Sequence, residues 1–225
     1  MTVAVQSAIK ICGLTRAGDA AHAAAAGADY IGVILANGVR VLDLPRAAVV
    51  LGPRHHGVRR VAVFGTQSAD EIIDAVHRLD LDVAQLHGAP SARDAEYIRA
   101  ATGRAVWPVL RVEGTSLPHE ATDLADATGY LVLDAKVHGQ LGGTGVVLDW
   151  TGLAEALAAV RRAVPSVRLV LAGGLRPGNV AEAIRLLAPD VVDVSSGVET
   201  SPGVKDPVAV ERFVHAVRNA TGNPA

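Results

Sequence analysis

Eight short apolar runs recur along this chain, and the stretches between them carry helical patterning. That alternation constrains the fold more than any other feature. The runs are Ile9–Cys12, Tyr30–Leu35, Arg60–Phe64, Val83–His87, Val106–Arg111, Tyr130–Asp134, Leu169–Ala172 and Val191–Ser195. They are rich in β-branched residues and apolar on both faces, as strands buried in a parallel sheet are. Between them, Arg16–Ala26 is alanine-rich, can be capped by Thr15 and stops at Gly27. Ser68–Leu79 opens with Ser68 and Glu71 at capping-box spacing. Pro177–Leu187 and Asp206–Arg218 carry proline in the first turn, where its missing N–H costs nothing. Gly114–Ala127 predicts only a short or irregular helix.

Strict alternation of this kind predicts an α/β fold, a single (β/α)8 TIM barrel over residues 1–225. A doubly wound open sheet would show fewer strands and an early Gly-rich dinucleotide loop, which the sequence lacks. No linker or low-complexity tract divides the chain, and 225 residues suit one barrel. The tail Thr221–Ala225 is expected to fray.

Composition narrows the partners. With 21 basic and 23 acidic side chains, the net charge of -2 leaves no polybasic face. Aromatic residues are 3% of the chain, too few for base-stacking platforms, so no nucleic-acid partner is expected. No run approaches the ~20 apolar residues of a membrane span. The N-terminal stretch has no apolar segment of signal-peptide length. Cys12 is the lone cysteine, which excludes an internal disulfide and suits a reducing compartment. A cytoplasmic protein, monomer or homodimer, is the expectation. The eight histidines show no metal-ligand spacing, so no metal is expected.

A barrel of this type carries its active site at the C-terminal ends of its strands. Cys12 ends the first run and Asp134 the sixth. A lone cysteine is commonly a small buried hydrophobe, but at a strand end its thiolate can act as nucleophile or general base. A carboxyl group facing it across the mouth would complete an acid and base pair. Gly142–Gly145 follows the sixth run, Gly173–Gly174 the seventh, and Ser195–Gly197 the eighth. Loops after the last two strands are the usual phosphate site of a barrel, and glycines let backbone N–H groups approach the anion. Arg40, after the second run, offers a fork for a carboxylate, with Arg111 as a second candidate. Arg46, Arg59 and Arg60 read as surface charges. Alternation puts Lys10 on the face of Cys12 and Asp193 on that of Ser195, which predicts a buried Lys10–Asp193 ion pair beneath the site. Gln85 and His87 share the inward face of the fourth run as supporting groups.

Five segments then carry a resemblance. KICGLT at Lys10–Thr15, QLHG at Gln85–Gly88, GGTG at Gly142–Gly145, AGGL at Ala172–Leu175 and DVSSGVETSPGVK at Asp193–Lys205 resemble the phosphoribosylanthranilate isomerase family, in its order and with similar spacing. The resemblance implies an Amadori rearrangement of N-(5-phosphoribosyl)anthranilate in tryptophan biosynthesis, with a phosphoribosyl small molecule as substrate and no cofactor. It implies Cys12 as general base, Asp134 as general acid and Arg40 as partner of the anthranilate carboxylate. The family's phosphate loops fall on Gly143, Gly174, Ser196 and Gly197. The alternatives are a catalytically silent phosphosugar-binding barrel and a paralogue acting on a modified anthranilate. The loop Ala36–Pro45 departs from the family's usual Ser-Pro-Arg surroundings.

Overall fold

Eight parallel strands close into a barrel in sequence order, β1 beside β2 and so on round to β8, which pairs back onto β1. They are β1 (Ala8–Ile11), β2 (Tyr30–Ile34), β3 (Arg59–Phe64), β4 (Val83–Leu86), β5 (Ala105–Val112), β6 (Tyr130–Ala135), β7 (Arg168–Leu171) and β8 (Val191–Val194). This architecture comes from a computed structural model, which describes residues 6–112, 114–135 and 149–221. Each strand lies within one residue of its expected ends. The (β/α)8 barrel expected from the alternation is therefore the fold.

The helices that follow the strands are α1 (Ala17–Ala25), α2 (Leu44–Leu51), α3 (Ala69–Arg78), α4 (Ala92–Thr102), α5 (Ala121–Thr128), α6 (Trp150–Ala163), α7 (Val180–Leu187) and α8 (Pro207–Thr221). The capping box forms at α3: Ser68 accepts from the Glu71 N–H while the Glu71 carboxylate accepts from the Ser68 N–H. Helix α5 is the short one foreseen in Gly114–Ala127, and it ends one residue beyond that stretch, at Thr128. A small hairpin, β9 (Glu199–Ser201) and β10 (Val204–Lys205), follows the 3-10 turn Ser196–Val198 after β8.

Three local expectations are corrected. Thr15 does not cap α1. Its hydroxyl donates to the Gly203 carbonyl (2.5 Å) and ties the first βα loop to the hairpin, and the helix starts one residue later than expected, at Ala17 with Arg16 at the cap position. Pro177 precedes α7 rather than opening it. Asn179 accepts from the Arg176 N–H (2.8 Å) and donates to the Gly174 carbonyl (3.0 Å), which holds residues 176–179 in a turn. Arg60 is buried instead of solvated. Its guanidinium donates to Gly52 O (2.6 Å) and Leu79 O (3.3 Å), the open carbonyls at the ends of α2 and α3.

Side chains alternate between two cores. Outward residues such as Ile9, Ile11, Ile31, Leu110 and Leu133 pack against the helix ring. Inward residues at the N-terminal end of the strands form a plug of Tyr30, Val61, Trp107, Val132, Val170 and Val191. Trp107 stacks at 5.0 Å from Tyr30 and 5.5 Å from Tyr130. Arg59 and Arg168 close that end by lying over the two tyrosine rings. Arg59, read from sequence as a plain surface charge, thus carries part of its contact inward. The tail beyond Thr221 lies outside the described residues.

Candidate active site

Above the plug the inward positions change character within one strand step. Lys10 sits on β1 two residues below Cys12, and Asp193 is its register partner on β8. Lys10 Nζ donates to Asp193 Oδ2 at 2.6 Å, with the lysine fully buried. The ion pair expected from strand alternation is therefore present. Burial works against the Lys10 charge, but Asp193 and Cys12 outweigh it and hold the ammonium above its ordinary value. The Cys12 thiol is pushed up by burial, with Lys10 pulling in the opposite direction. Gly32 leaves room for both: a Cβ there would lie 3.1 Å from Lys10 Cε and 3.3 Å from Cys12 Sγ.

A cavity of about 530 Å³ opens at the C-terminal ends of the strands, within the usual range for small-molecule sites. Cys12 lines it from just past β1, Arg40 from the loop after β2, Gln85 from β4 and His87 from just past it, Asp134 from β6, and Asp193 from β8. Gly174 and Ser196 line it from the loops after β7 and β8. Cys12 and Asp134 share one chamber, as the sequence reading expected of them. Asp134 Oδ2 lies 3.0 Å from His87 Nε2, so the imidazole fixes the direction of the carboxyl group. Arg111 is the register neighbour of Asp134 on β5. Gln85 Oε1, Asp193 Oδ1 and Ser195 Oγ are buried with no hydrogen-bond partner among the described residues. Orphaned polar atoms of this kind at a cavity wall await a polar ligand.

The loops after β7 and β8 meet closely. A Cβ on Gly197 would lie 1.9 Å from the Leu175 carbonyl oxygen, so only glycine permits that approach. Gly173 and Gly174 both have positive φ, a conformation that glycine adopts at no steric cost. Gly143, the remaining expected phosphate contact, lies outside the described residues.

Arg40 enters the site as part of a group that the sequence reading did not assemble. Its Nε donates to Glu199 Oε1 at 2.8 Å and its Nη2 to Glu199 Oε2 at 2.6 Å. Lys205 Nζ donates to Glu199 Oε1 at 2.7 Å and to the Ser195 carbonyl at 3.1 Å. Burial opposes the Glu199 charge, yet the bonds from Arg40 and Lys205 hold the carboxyl below its ordinary value. Gly13 has φ +69°, and a Cβ there would lie 2.7 Å from both Arg40 Cδ and Ser195 Oγ. The signal for Glu199 and Lys205 was their place in DVSSGVETSPGVK, beside the residues chosen for phosphate.

No helix among the described residues is long and apolar enough to cross a membrane. None of their His, Cys, Asp and Glu side chains group as a metal site.

The closed barrel, the chamber at its strand ends, and paired loops after the last two strands define a (β/α)8 barrel built to hold a small polar ligand. Comparison with known proteins sharpens that class. A sequence model described as N-(5'phosphoribosyl)anthranilate (PRA) isomerase matches residues 9–216. An N-(5'-phosphoribosyl)anthranilate isomerase of Pseudomonas aeruginosa is 40% identical over 213 residues, 94% of this chain and 95% of the relative. A phosphoribosyl anthranilate isomerase structure from Thermus thermophilus superposes with a TM-score of 0.79 at 32% identity, covering 94% of this chain and 98% of that one. Another such isomerase, solved with reduced 1-(o-carboxyphenylamino)-1-deoxyribulose 5-phosphate, gives 0.75 at 28% identity, covering 95% and 99%. The chain belongs to the N-(5'-phosphoribosyl)anthranilate isomerase family, whose members are isomerases of tryptophan biosynthesis.

Proposed function

We propose that this barrel converts N-(5'-phosphoribosyl)anthranilate to 1-(2-carboxyphenylamino)-1-deoxyribulose 5-phosphate by an Amadori rearrangement, with Cys12 as general base and Asp134 as general acid. The observation that carries this reading is the meeting of Cys12, Asp134, Arg40, Gly174 and Ser196 in one chamber at the strand ends. A ligand with an anion at each end and a reacting centre between them matches that arrangement. The reduced product-like compound bound in a relative's structure has that form.

In this reading the phosphate rests against the loops of Gly174, Ser196 and Gly197, with Gly143 contributing from the loop after β6. The anthranilate carboxylate meets Arg40. Asp134 donates its proton to the ribose ring oxygen, the C1–O bond breaks, and the aryl nitrogen lone pair forms the iminium. The Cys12 thiolate takes the C2 proton and gives the enolamine. A proton then adds at C1 as the C2 hydroxyl becomes the ketone, so C1 is reduced and C2 oxidised within one molecule. The sequence of steps needs neither cofactor nor metal. Lys10 offsets the burial that works against the thiolate, Asp193 holds Lys10 in place, and Gln85 offers its amide to the sugar. His87 keeps Asp134 aimed. The lone cysteine and the sugar phosphate substrate fit a cytoplasmic, single-barrel enzyme.

The test is turnover of freshly generated phosphoribosylanthranilate, followed by the loss of its fluorescence. Wild-type turnover is expected, and Cys12→Ser and Asp134→Asn should each lose at least about 100-fold in kcat. Tight binding of a product analogue with no wild-type turnover would assign a silent phosphosugar-binding barrel instead.

A further inference from the structure

We propose that Glu199, braced by Lys205, is the positioning residue that aims Arg40 into the cavity and so makes the site selective for a carboxylate-bearing substrate. The inference rests on the reading of Arg40 as the carboxylate partner and deepens it.

A guanidinium has five N–H donors in a rigid fork. Glu199 takes the Nε hydrogen and one Nη2 hydrogen, both on the side edge of the fork. Three donors remain: one on Nη2 and one on Nη1 form the end edge, and the second Nη1 hydrogen faces back toward Cδ. Arg40 lines the cavity. The end edge can therefore accept a second carboxylate in two-point fashion while Glu199 stays in place.

Charge points the same way. Arg40 and Glu199 alone would form a neutral pair with little pull on an anion. Lys205 adds a second cation to the same carboxylate, and its ammonium is almost fully buried. Burial works against the Lys205 charge while Glu199 supports it, and within this trio two cations face one anion, which leaves the group one positive charge, the complement of a single carboxylate. The group is also held mechanically. Lys205 ties Glu199 to the Ser195 carbonyl at the end of β8, and the Arg40 stem crosses Gly13 where no side chain could fit. A long, flexible arginine is thereby ordered before substrate arrives, which lowers the entropy cost of binding.

The competing arrangement makes Glu199 a stand-in that the substrate displaces. Its bonds to the side edge, and its second partner Lys205, speak against that. The two arrangements predict opposite signs, so one experiment separates them.

The probes are reduced 1-(o-carboxyphenylamino)-1-deoxyribulose 5-phosphate and its counterpart lacking the carboxyl group, as inhibitors of wild type, Arg40→Gln, Glu199→Gln and Lys205→Met. Wild type should prefer the carboxylated probe by about tenfold or more, the effect of one charge-assisted contact. Glu199→Gln should weaken the carboxylated probe by about tenfold and leave the other within about twofold. KM should rise in step, with kcat within about threefold. Lys205→Met should weaken the carboxylated probe in the same direction by a smaller factor. Binding of the carboxyl-free probe reports that each variant is folded. Tighter binding of the carboxylated probe to Glu199→Gln, an unchanged preference, or equal weakening of both probes overturns the inference. If wild type shows no preference and Arg40→Gln changes nothing, the reading of Arg40 fails and takes the inference with it. If Arg40→Gln abolishes the preference while Glu199→Gln keeps it, only the inference fails.

Discussion

The two halves of the barrel interior are made by the same strands yet follow opposite rules. Toward the N-terminal ends, Val61, Val132, Val170 and Val191 surround Trp107, and the space is filled by apolar contact. One step further along, the inward positions are Cys12, Gln85, Asp134 and Asp193, and the space is open. Val132 and Asp134 are adjacent inward residues of β6, two positions apart, and fall on opposite sides of this boundary. Among the described residues the lower half leaves one buried polar atom without a partner, the indole nitrogen of Trp107. The upper half leaves several polar atoms unmatched. The contrast teaches that the plug supplies rigidity, and that the rigidity lets the upper layer keep groups poised for a ligand at a cost in stability.

Perturbing the plug should give the largest stability loss. Trp107→Ala empties the middle of the lower layer and should cost about 3–5 kcal/mol, with the surviving folded protein still binding the product analogue. Denaturant unfolding beside an inhibition assay checks this. A variant that kept its stability would show that the plug is not the structural half.

Lys10 lies on the boundary, so its replacement should be felt on both sides. Lys10→Met leaves Asp193 buried without its partner and should cost about 3–5 kcal/mol, while Lys10→Met with Asp193→Leu should recover much of the loss. The same change should alter the chemistry. If the proposed general base, the Cys12 thiolate, does the chemistry, kcat/KM should rise with pH as Cys12 ionises. Burial places that rise above the ordinary thiol value, and Lys10 pulls it down. Lys10→Met should therefore move the rise to still higher pH. A rise that stayed put, or moved to lower pH, would remove Lys10 from the account.

The smallest effect belongs to the rim. The folded-state value of Glu199 lies below its ordinary 4.5, so its contribution to stability is complete above 4.5 and is lost as pH falls through the lower folded value. The stability difference between wild type and Glu199→Gln should thus shrink on acidification below 4.5 and stay constant above it. Thermal unfolding over that pH range would show it.

Much of this contrast was legible in the sequence, and for one physical reason. Strand alternation fixes which side chains share a face, so Lys10, Cys12, Asp193 and Ser195 could be placed together before any coordinates. Closure of the barrel then set β1 beside β8. The rest depended on contacts that no periodicity encodes. Arg40 and Glu199 are 159 positions apart and meet through a hairpin after β8 whose path follows from loop geometry. Thr15 looked like a helix cap because a hydroxyl before an alanine run fits that role, yet the hairpin offers it the Gly203 carbonyl. Arg60 looked solvent-bound because arginine ordinarily is, yet two helix ends present carbonyls that its fork satisfies.

The central claim is that one strand step separates packing from chemistry, and β6 tests it most directly. The measurement is kcat and unfolding free energy together for Val132→Ala and Asp134→Asn. The account predicts that Val132→Ala loses about 2 kcal/mol of stability and keeps kcat within about twofold. It predicts that Asp134→Asn loses at least about 100-fold in kcat and keeps its stability within about 1 kcal/mol. Loss of activity in both variants, or retention of activity by Asp134→Asn, would contradict it.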